Sequence, residues 1–592
     1  MVPLFVTAIF YVTNFAYLYL WLLPRIGFRI STKCHNIWSC SRHLKEIWLH
    51  YRIDTADGQW REFRGSLWLL WICVTVSAIT YFCIRKLCER DLGVFFNKSQ
   101  RVTLHMISRL IFGVFFLFVQ HGYHSFIVIL LASISFVLAK FLRRAKFYVL
   151  AVWIYAIFIL LLKESYRIKH YPSFSLLRPM FDSSYGGLYR WQLPANFLIL
   201  RLISFSLDYR RACIDDDSRD LEKVEVSNPD NVRQLSNVAP ALSATAAASQ
   251  LSIPAHPCPY LLRESKVESY LPVLSDYSFL NFFVYVLYAP LYMAGPIITF
   301  DDFVRSSQGE KEKESDSSKD RNGNQTLKEK SSIFWIYGCR WLLCFLLMEM
   351  LSSFFPIFAV INSGLFYNLS VAEMAAAAYL TLKLMWLKFL LLWRFFRLWA
   401  LADGITAPEN MLRCVANNYS LEQFWKGWHA SFNKWLIAYL YLPLGGRNNR
   451  LLSVWAVFFF VAVWHDIDLK LLMWGALNSV FYIVEILAKR VAQTQQMQRL
   501  PPSLIHLIGS VSGGLYIMVL FAVNLLGYAV GVDGLSSMGN KLMTSEGIKV
   551  LFVTLYFMTV STSFLILLEQ WRNPTSDAAA KNTLHHVKNK GD

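Results

Sequence analysis

His465 closes a run of apolar and aromatic residues, Phe458 to Trp464, and is followed by Asp466. A polar side chain among so many apolar ones is costly at membrane depth and marks function by default. An imidazole, with a reference pKa of about 6.5, can stay neutral there and accept a proton. Taken alone, His465 reads more readily as a headgroup-level histidine bonded to backbone, because a lone histidine near a helix end is common. A second constellation adds weight to the chemical reading. Phe424-Trp425-Lys426-Gly427-Trp428-His429-Ala430-Ser431-Phe432-Asn433-Lys434-Trp435 runs on through Tyr439 and Tyr441 to Pro443, Gly445, Gly446 and Arg447. On one helix His429 and Asn433, four apart, share a face. Trp425, Trp428 and Trp435 suit a membrane interface, and Lys426, Lys434 and Arg447 are cations beside it. Pro443 and Gly445-Gly446 end the helix in a turn. The plain reading is an interfacial amphipathic helix; the sharper one is a cluster that holds an anionic, half-apolar ligand.

Arg394 and Arg397, three apart among Trp393, Phe395, Phe396 and Trp399, have the spacing of a phosphate clamp, or they snorkel from the end of a span. Arg201 and Asp208, seven apart, fall on one helix face and are expected to form a buried structural ion pair. His121, His124 and Ser204 are also flanked by apolar residues. No His, Cys and Asp cluster has ligand spacing, so no metal is expected. The ten Cys include no CxxC and no paired framework of the secreted kind. Cys73, Cys83 and Cys344 are expected to be buried, inert thiols. Cys414 has no sequence-adjacent base, which disfavours a Cys acyl-enzyme.

The elements that must position these residues are set by composition. Of 592 residues, 55% are apolar or aromatic and 17% are charged. The apolar ones come in long runs, which excludes a disordered chain, a fibrous one and an ordinary soluble enzyme. The formal charge of +18 lies largely in short loops between those runs. That pattern suits anionic lipid or an anionic cofactor rather than nucleic acid. A span takes about 20 apolar residues, and about 10 to 12 transmembrane or re-entrant crossings are expected on that rule. The runs are Val2–Leu23, Leu67–Ile84, Leu110–Val119, Phe126–Leu142, Tyr148–Leu162, Leu193–Leu207, Phe279–Phe300, Ile333–Ile361, Met374–Trp393, Leu451–Trp464, Leu471–Leu487, Leu507–Val530 and Val550–Leu568. The expected organisation is an anchor over 1–23, helices over 24–209, a flexible polar loop over 210–270, and a membrane segment over 271–303. A charged flexible loop over 304–332, a second helical block over 333–569 and a polar tail over 570–592 follow. Hydropathy leaves open whether Phe279–Phe300 crosses or re-enters, and therefore whether the two polar loops share a side.

Ala289-Pro290-Leu291-Tyr292-Met293-Ala294-Gly295-Pro296-Ile297-Ile298-Thr299-Phe300, Arg201 to Tyr209, Phe424 to Arg447 and the Trp464-His465 pair resemble signatures of the membrane-bound O-acyltransferases. The likeness is to the branch of glycerol uptake and hedgehog acyltransferase proteins, and it runs from about Leu4 to Leu568. The resemblance implies an all-α polytopic bundle around a tunnel. It implies an acyl-CoA donor entering from the cytosol and a lipid acceptor, such as a lysolipid or glycosylphosphatidylinositol precursor. It maps the catalytic histidine onto His465 and the second polar position onto His429 or Asn433. Arg394, Arg397, Lys426, Lys434 and Arg447 are then the candidates for the CoA phosphates. No permanently bound cofactor is implied. Transfer to a protein N-terminus, solute transport and a scaffold without catalysis are the competing readings. Transport is disfavoured because no repeated halves are visible. Lys588 and Lys590 resemble a retrieval signal of endoplasmic-reticulum membrane proteins. The sequons at Asn97, Asn324, Asn368 and Asn418 offer topology markers.

Overall fold

The computed structural model describes residues 2–48, 51–89, 98–167, 187–226, 272–308 and 323–572. Lys588, Lys590, Asn97 and most of both polar stretches lie outside them. Eight helices are long and apolar enough to cross a membrane among the described residues: Gly58–Lys86, Gln100–Phe141, Tyr148–Ser165, Phe334–Phe354, Val371–Ala402, Leu469–Ala492, Pro502–Tyr528 and Ser545–Arg572. A shorter apolar helix covers Arg450–His465. The Gln100–Phe141 stretch breaks at Gly122 (φ 54°). The protein is an all-α polytopic membrane protein, and the sheet among its described residues is one small antiparallel hairpin.

The elements used below are α1 (Val2–Ala16), α2 (Leu23–Asn36), β1 (Leu44–Trp48), β2 (Tyr51–Asp54), α3 (Gly58–Glu89), α4 (Lys98–His121), α5 (Ser125–Phe141), α6 (Tyr148–Arg167) and α7 (Gln192–Val226). They continue with α8 (Phe279–Leu287), α9 (Phe300–Gln308), α10 (Gly323–Phe354), α11 (Ile357–Asn362), α12 (Val371–Ala402), α13 (Leu421–Gly427) and α14 (Ala430–Leu436). The last are α15 (Arg450–His465), α16 (Leu469–Ala492), α17 (Pro502–Tyr528), α18 (Gly531–Leu542) and α19 (Ser545–Arg572). α15 packs along α16, α17 along α19 and α6 along α7. α12 is the central post, packed against α2, α3, α10 and α17. It starts where Ser370 and Glu373 form a reciprocal cap, which satisfies two otherwise orphaned backbone N–H groups.

Two apolar runs expected as spans have other fates. Leu193–Leu207 is the first part of α7. Ile199, Leu200, Phe205, Arg201, Ser204 and Asp208 are all buried there, so the helix is walled by protein on every side. α7 continues to Val226, so the expected polar loop begins as helix; its Arg, Leu, Glu and Lys residues are good helix formers and offset the aspartates. Phe279–Phe300 does not cross. It makes the nine-residue α8, a tight turn and an extended return leg. Nine residues rise about 13 Å, far short of a bilayer core of about 30 Å. The two ends meet: the Tyr277 hydroxyl donates to Asp301 (2.6 Å), and deeper in, Tyr285 donates to the Ile298 carbonyl (2.9 Å). The segment is re-entrant, and the chain enters and leaves it on one face. Gly295 (φ 122°) lets the return leg press on α12, where a Cβ would come within 2.9 Å of the Phe396 Cβ.

The expected Arg201–Asp208 pair does not form. Arg201 donates to the carbonyls of Tyr285 (2.9 Å) and Val286 (2.8 Å). Asp208 pairs with Arg211 and accepts from Ser204 (3.2 Å) and Tyr439 (2.8 Å). Seven residues are two turns, about 10 Å of rise, and each group finds a nearer partner. The cysteine expectation is also corrected. Cys34 and Cys40 form a disulfide at the end of α2. Cys73 and Cys344 are half-buried and Cys83 is exposed, because apolar runs in such a protein face lipid as well as core.

Candidate active site

His429 sits in a break between two short helices rather than on one long one. α13, capped by Ser420, stops at Gly427, and α14 begins at Ala430. His429 is the N-cap between them, with φ 47° and ψ 50°, the one positive φ outside glycine among the described residues. That conformation costs a non-glycine residue about 1–3 kcal/mol and persists where its surroundings over-determine it. Here a strip of backbone does so. Met411 bridges Trp428, the Leu412 N–H donates to the Gly427 carbonyl (3.2 Å), and the Ala430 N–H donates to that of Asn410 (3.0 Å). The Ser431 hydroxyl donates to Asn410 Oδ1 (2.7 Å) and accepts from the Ile297 N–H of the re-entrant leg (2.8 Å). The Ala289–Phe300 motif therefore acts on the site by holding the segment after His429.

The tryptophans expected at a membrane interface line the interior. Trp435 is buried and donates to the Leu200 carbonyl (3.1 Å). Trp425 packs edge-on against Trp474 and Phe458. Trp428 stacks on Phe424. The His429 ring centre lies 4.4 Å from Trp393 and 5.2 Å from Phe432. Its Nδ1 is buried without a hydrogen-bond partner among the described residues. Asn433 follows on α14, its N–H bonded to the His429 carbonyl (3.0 Å).

His465 ends α15, its ring 4.7 Å from Trp464 and 5.6 Å from Tyr528. Its carbonyl accepts from Lys163 Nζ and Asn196 Nδ2, each at 3.4 Å. These two side chains from α6 and α7 fix the helix end that carries the imidazole. Lys163 also lies 3.6 Å from Asp466.

Both histidines and Asn433 line one cavity of about 1620 Å³. It runs along α15, whose ends are Arg450 and His465, about 22 Å apart at the helical rise. Lys426, Arg447, Arg450, Lys489 and Arg490 line it at the Arg450 end, with Glu422 among them. Burial alone would raise the Glu422 carboxyl, but Lys426 (2.7 Å) and Lys489 (2.8 Å) hold it down to about 2. Lys489 also pairs with buried Glu485 (2.7 Å), and five cations against these two acids leave this end net basic. Val454, Val457, Phe458, Val461, Leu436 and Ile437 supply apolar wall between.

The cavity thus brings together His465, His429, Asn433, Lys426 and Arg447. Arg394 and Arg397 are not on its wall. They face Glu409 (3.6 and 3.7 Å) across the Tyr337 ring, and Arg397 Nε donates to the Ala407 carbonyl (2.9 Å). Lys434 is half-buried off the wall. The expectation that these three meet a CoA phosphate gains nothing from the geometry. Sequence reasoning missed Arg450, Lys489 and Arg490. The adjacent Lys489-Arg490 pair closing an apolar helix was the available signal.

The sequence profile described as "MBOAT, membrane-bound O-acyltransferase family" matches residues 67–530. The chain is 33% identical to "Membrane-bound O-acyltransferase GUP1" of Saccharomyces cerevisiae over 90% of this chain and 86% of that protein. It is 31% identical to "Membrane-bound O-acyltransferase gup1" of Schizosaccharomyces pombe over 87% and 79%. A partial likeness, 28% identity over 36% of this chain and 40% of the other, links it to "Protein-cysteine N-palmitoyltransferase HHAT" of Mus musculus. Matched across most of its length, the chain belongs to the membrane-bound O-acyltransferase family.

Proposed function

We propose that this membrane acyltransferase moves a long fatty acyl chain from acyl-CoA to a hydroxyl of a lipid acceptor, with His465 as general base. The observation that carries the proposal is the single cavity that joins five cations to two histidines through an apolar wall. Phosphates of CoA sit among Lys426, Arg447, Arg450, Lys489 and Arg490 by charge-assisted hydrogen bonds. The acyl chain lies on the apolar wall, each buried methylene contributing about 0.8 kcal/mol. His465 takes the proton of the acceptor hydroxyl as its oxygen attacks the thioester carbon. The carbon–sulfur bond then breaks, and the CoA sulfur leaves with that proton. His429 or Asn433 orients the acceptor or donates to the carbonyl oxygen as it gains charge. The unpartnered Nδ1 of His429 supports that role. The acceptor is a lysolipid or glycosylphosphatidylinositol precursor, and the enzyme works as a multi-pass protein of the endoplasmic-reticulum membrane.

The test is transfer of radiolabelled palmitate from palmitoyl-CoA by purified protein in lipid nanodiscs. His465→Ala is expected to keep the folded yield and lose transfer by at least a hundredfold, the range of a general base. Full transfer by a well-folded His465→Ala protein would end the assignment.

A further inference from the structure

The cavity has a second polar wall, of a different kind from its basic end. Lys388, buried on α12, donates to Asp57 Oδ2 (2.7 Å) and to Gln59 Oε1 (3.1 Å). Asp57 Oδ1 accepts from the Trp60 N–H (2.8 Å) and so caps α3. One ammonium and one carboxylate cancel here. The remaining polar groups are carboxamides: Gln59 and Asn362, both exposed, with Asn362 anchored by a bond from Nδ2 to the Ala56 carbonyl (3.0 Å). All four side chains line the cavity. A relay of ring contacts leads from this wall to His429: Lys388 lies 4.9 Å over the Phe389 ring, Phe389 stacks on Trp393, and Trp393 meets His429.

Charge decides what such a wall receives. A phosphomonoester or carboxylate headgroup needs surplus cations, which this wall lacks and the other end has. A free amine needs surplus anion, and the one carboxylate is already shared by Lys388 and a helix cap. Carboxamides offer both donors and acceptors, which matches hydroxyl groups that both give and take hydrogen bonds. Resting on the transfer reaction above, we propose that Gln59, Asn362 and the Lys388–Asp57 pair form the acceptor-headgroup site, and that the part of the headgroup it takes is an uncharged, hydroxyl-rich face, a glycerol or sugar, with any phosphodiester of the acceptor held off this wall. Gln59 and Asn362 hold flanking hydroxyls, the ion pair fixes Gln59, and one further hydroxyl is left to reach the histidines.

The experiment offers the nanodisc enzyme labelled palmitoyl-CoA with three probes: a monoacylglycerol, a lysophosphatidic acid and a short peptide with a free N-terminus. Preference for the monoacylglycerol is expected. Gln59→Leu and Asn362→Leu, both at exposed positions and each checked for an unchanged melting temperature, should raise its KM at least fivefold while leaving the KM for palmitoyl-CoA unchanged. Arg450→Ala should show the reverse split. Preference for lysophosphatidic acid or the peptide would overturn the headgroup class and leave the transfer reaction standing. An unchanged acceptor KM in both leucine variants would overturn the site. No transfer to any of the three would overturn the headgroup class, and no transfer to a glycosylphosphatidylinositol precursor either, with palmitoyl-CoA left intact, would overturn the transfer reaction and this site with it.

Discussion

At the scale of single residues, His429 is set apart by its backbone. Glycine tolerates a positive φ that a histidine bears at a cost. His429→Gly should therefore fold at least as well as the parent, while His429→Ala keeps the strain. Both should lose transfer by tenfold or more, about 1.4 kcal/mol of barrier. Thermal unfolding beside turnover separates the two effects, and a His429→Gly enzyme with full turnover would remove the imidazole from the chemistry. Arg397 is expected to behave as structure. Arg397→Ala should lower the melting temperature and leave the KM for acyl-CoA unchanged, since its guanidinium is engaged by Glu409, Tyr337 and Ala407. His429 and His465, which line one cavity, were legible as candidates because they are polar residues among aromatic ones. The left-handed turn at His429 was not, because it is imposed by Asn410, Met411 and Leu412, which lie far from it along the chain.

Among the elements, the spans were legible because lipid demands a length, and the re-entrant segment was not. An apolar run of 22 residues has the same hydropathy whether it crosses or doubles back; contacts such as Tyr277 with Asp301 decide it. The far end of that segment is tied to α4 and α12 by Asp403, which takes Arg109 (2.9 Å) and the Tyr288 hydroxyl (2.8 Å) in a buried site. Removing one partner of a buried ion pair costs about 3–5 kcal/mol. Arg109→Met should thus lower the folded yield sharply, and Arg109→Met with Asp403→Leu should restore part of it. The hairpin carries a pH signature. Burial raises Asp54 to about 6, against the N–H bonds from Ala56 (2.9 Å) and Ala359 (2.9 Å). An acid raised in the fold favours the native state when protonated, so this contribution is full below about 4 and is lost as pH rises through about 6. The melting temperature should gain on acidification from pH 7 to 5 relative to Asp54→Asn, and parallel curves would refute it.

For the whole molecule, composition announced a membrane protein, and the fold divides its apolar surface between lipid and the wall of a cavity. Of the basic residues that line that cavity, spacing offered Lys426 and Arg447 but not Arg450, Lys489 and Arg490. Periodicity places Arg394 and Lys489 on faces of their own helices but does not say what each face meets. The charge imbalance at the Arg450 end has a solution consequence. Exposed charges are screened within about 8 Å at physiological salt, so the KM for acyl-CoA should climb with ionic strength, and Lys489→Glu should raise it further. A KM indifferent to salt and to that reversal would place the donor elsewhere.

The Cys34–Cys40 bond bears on the geography of the reaction. Disulfides persist where thiols are oxidised and are rare in the cytosol. The bonded segment packs, through α11, beside Asn362 and the Lys388 wall, with exposed Asn368 six residues further on. The bond acts as a compass. Under the proposed reaction it predicts that the Lys388 wall faces an oxidising compartment and the Lys489–Arg490 end faces the cytosol. In sealed microsomes a membrane-impermeant maleimide should then miss both cysteines until the membrane is opened and the bond reduced. A glycan should be accepted at Asn368 but not at buried Asn418.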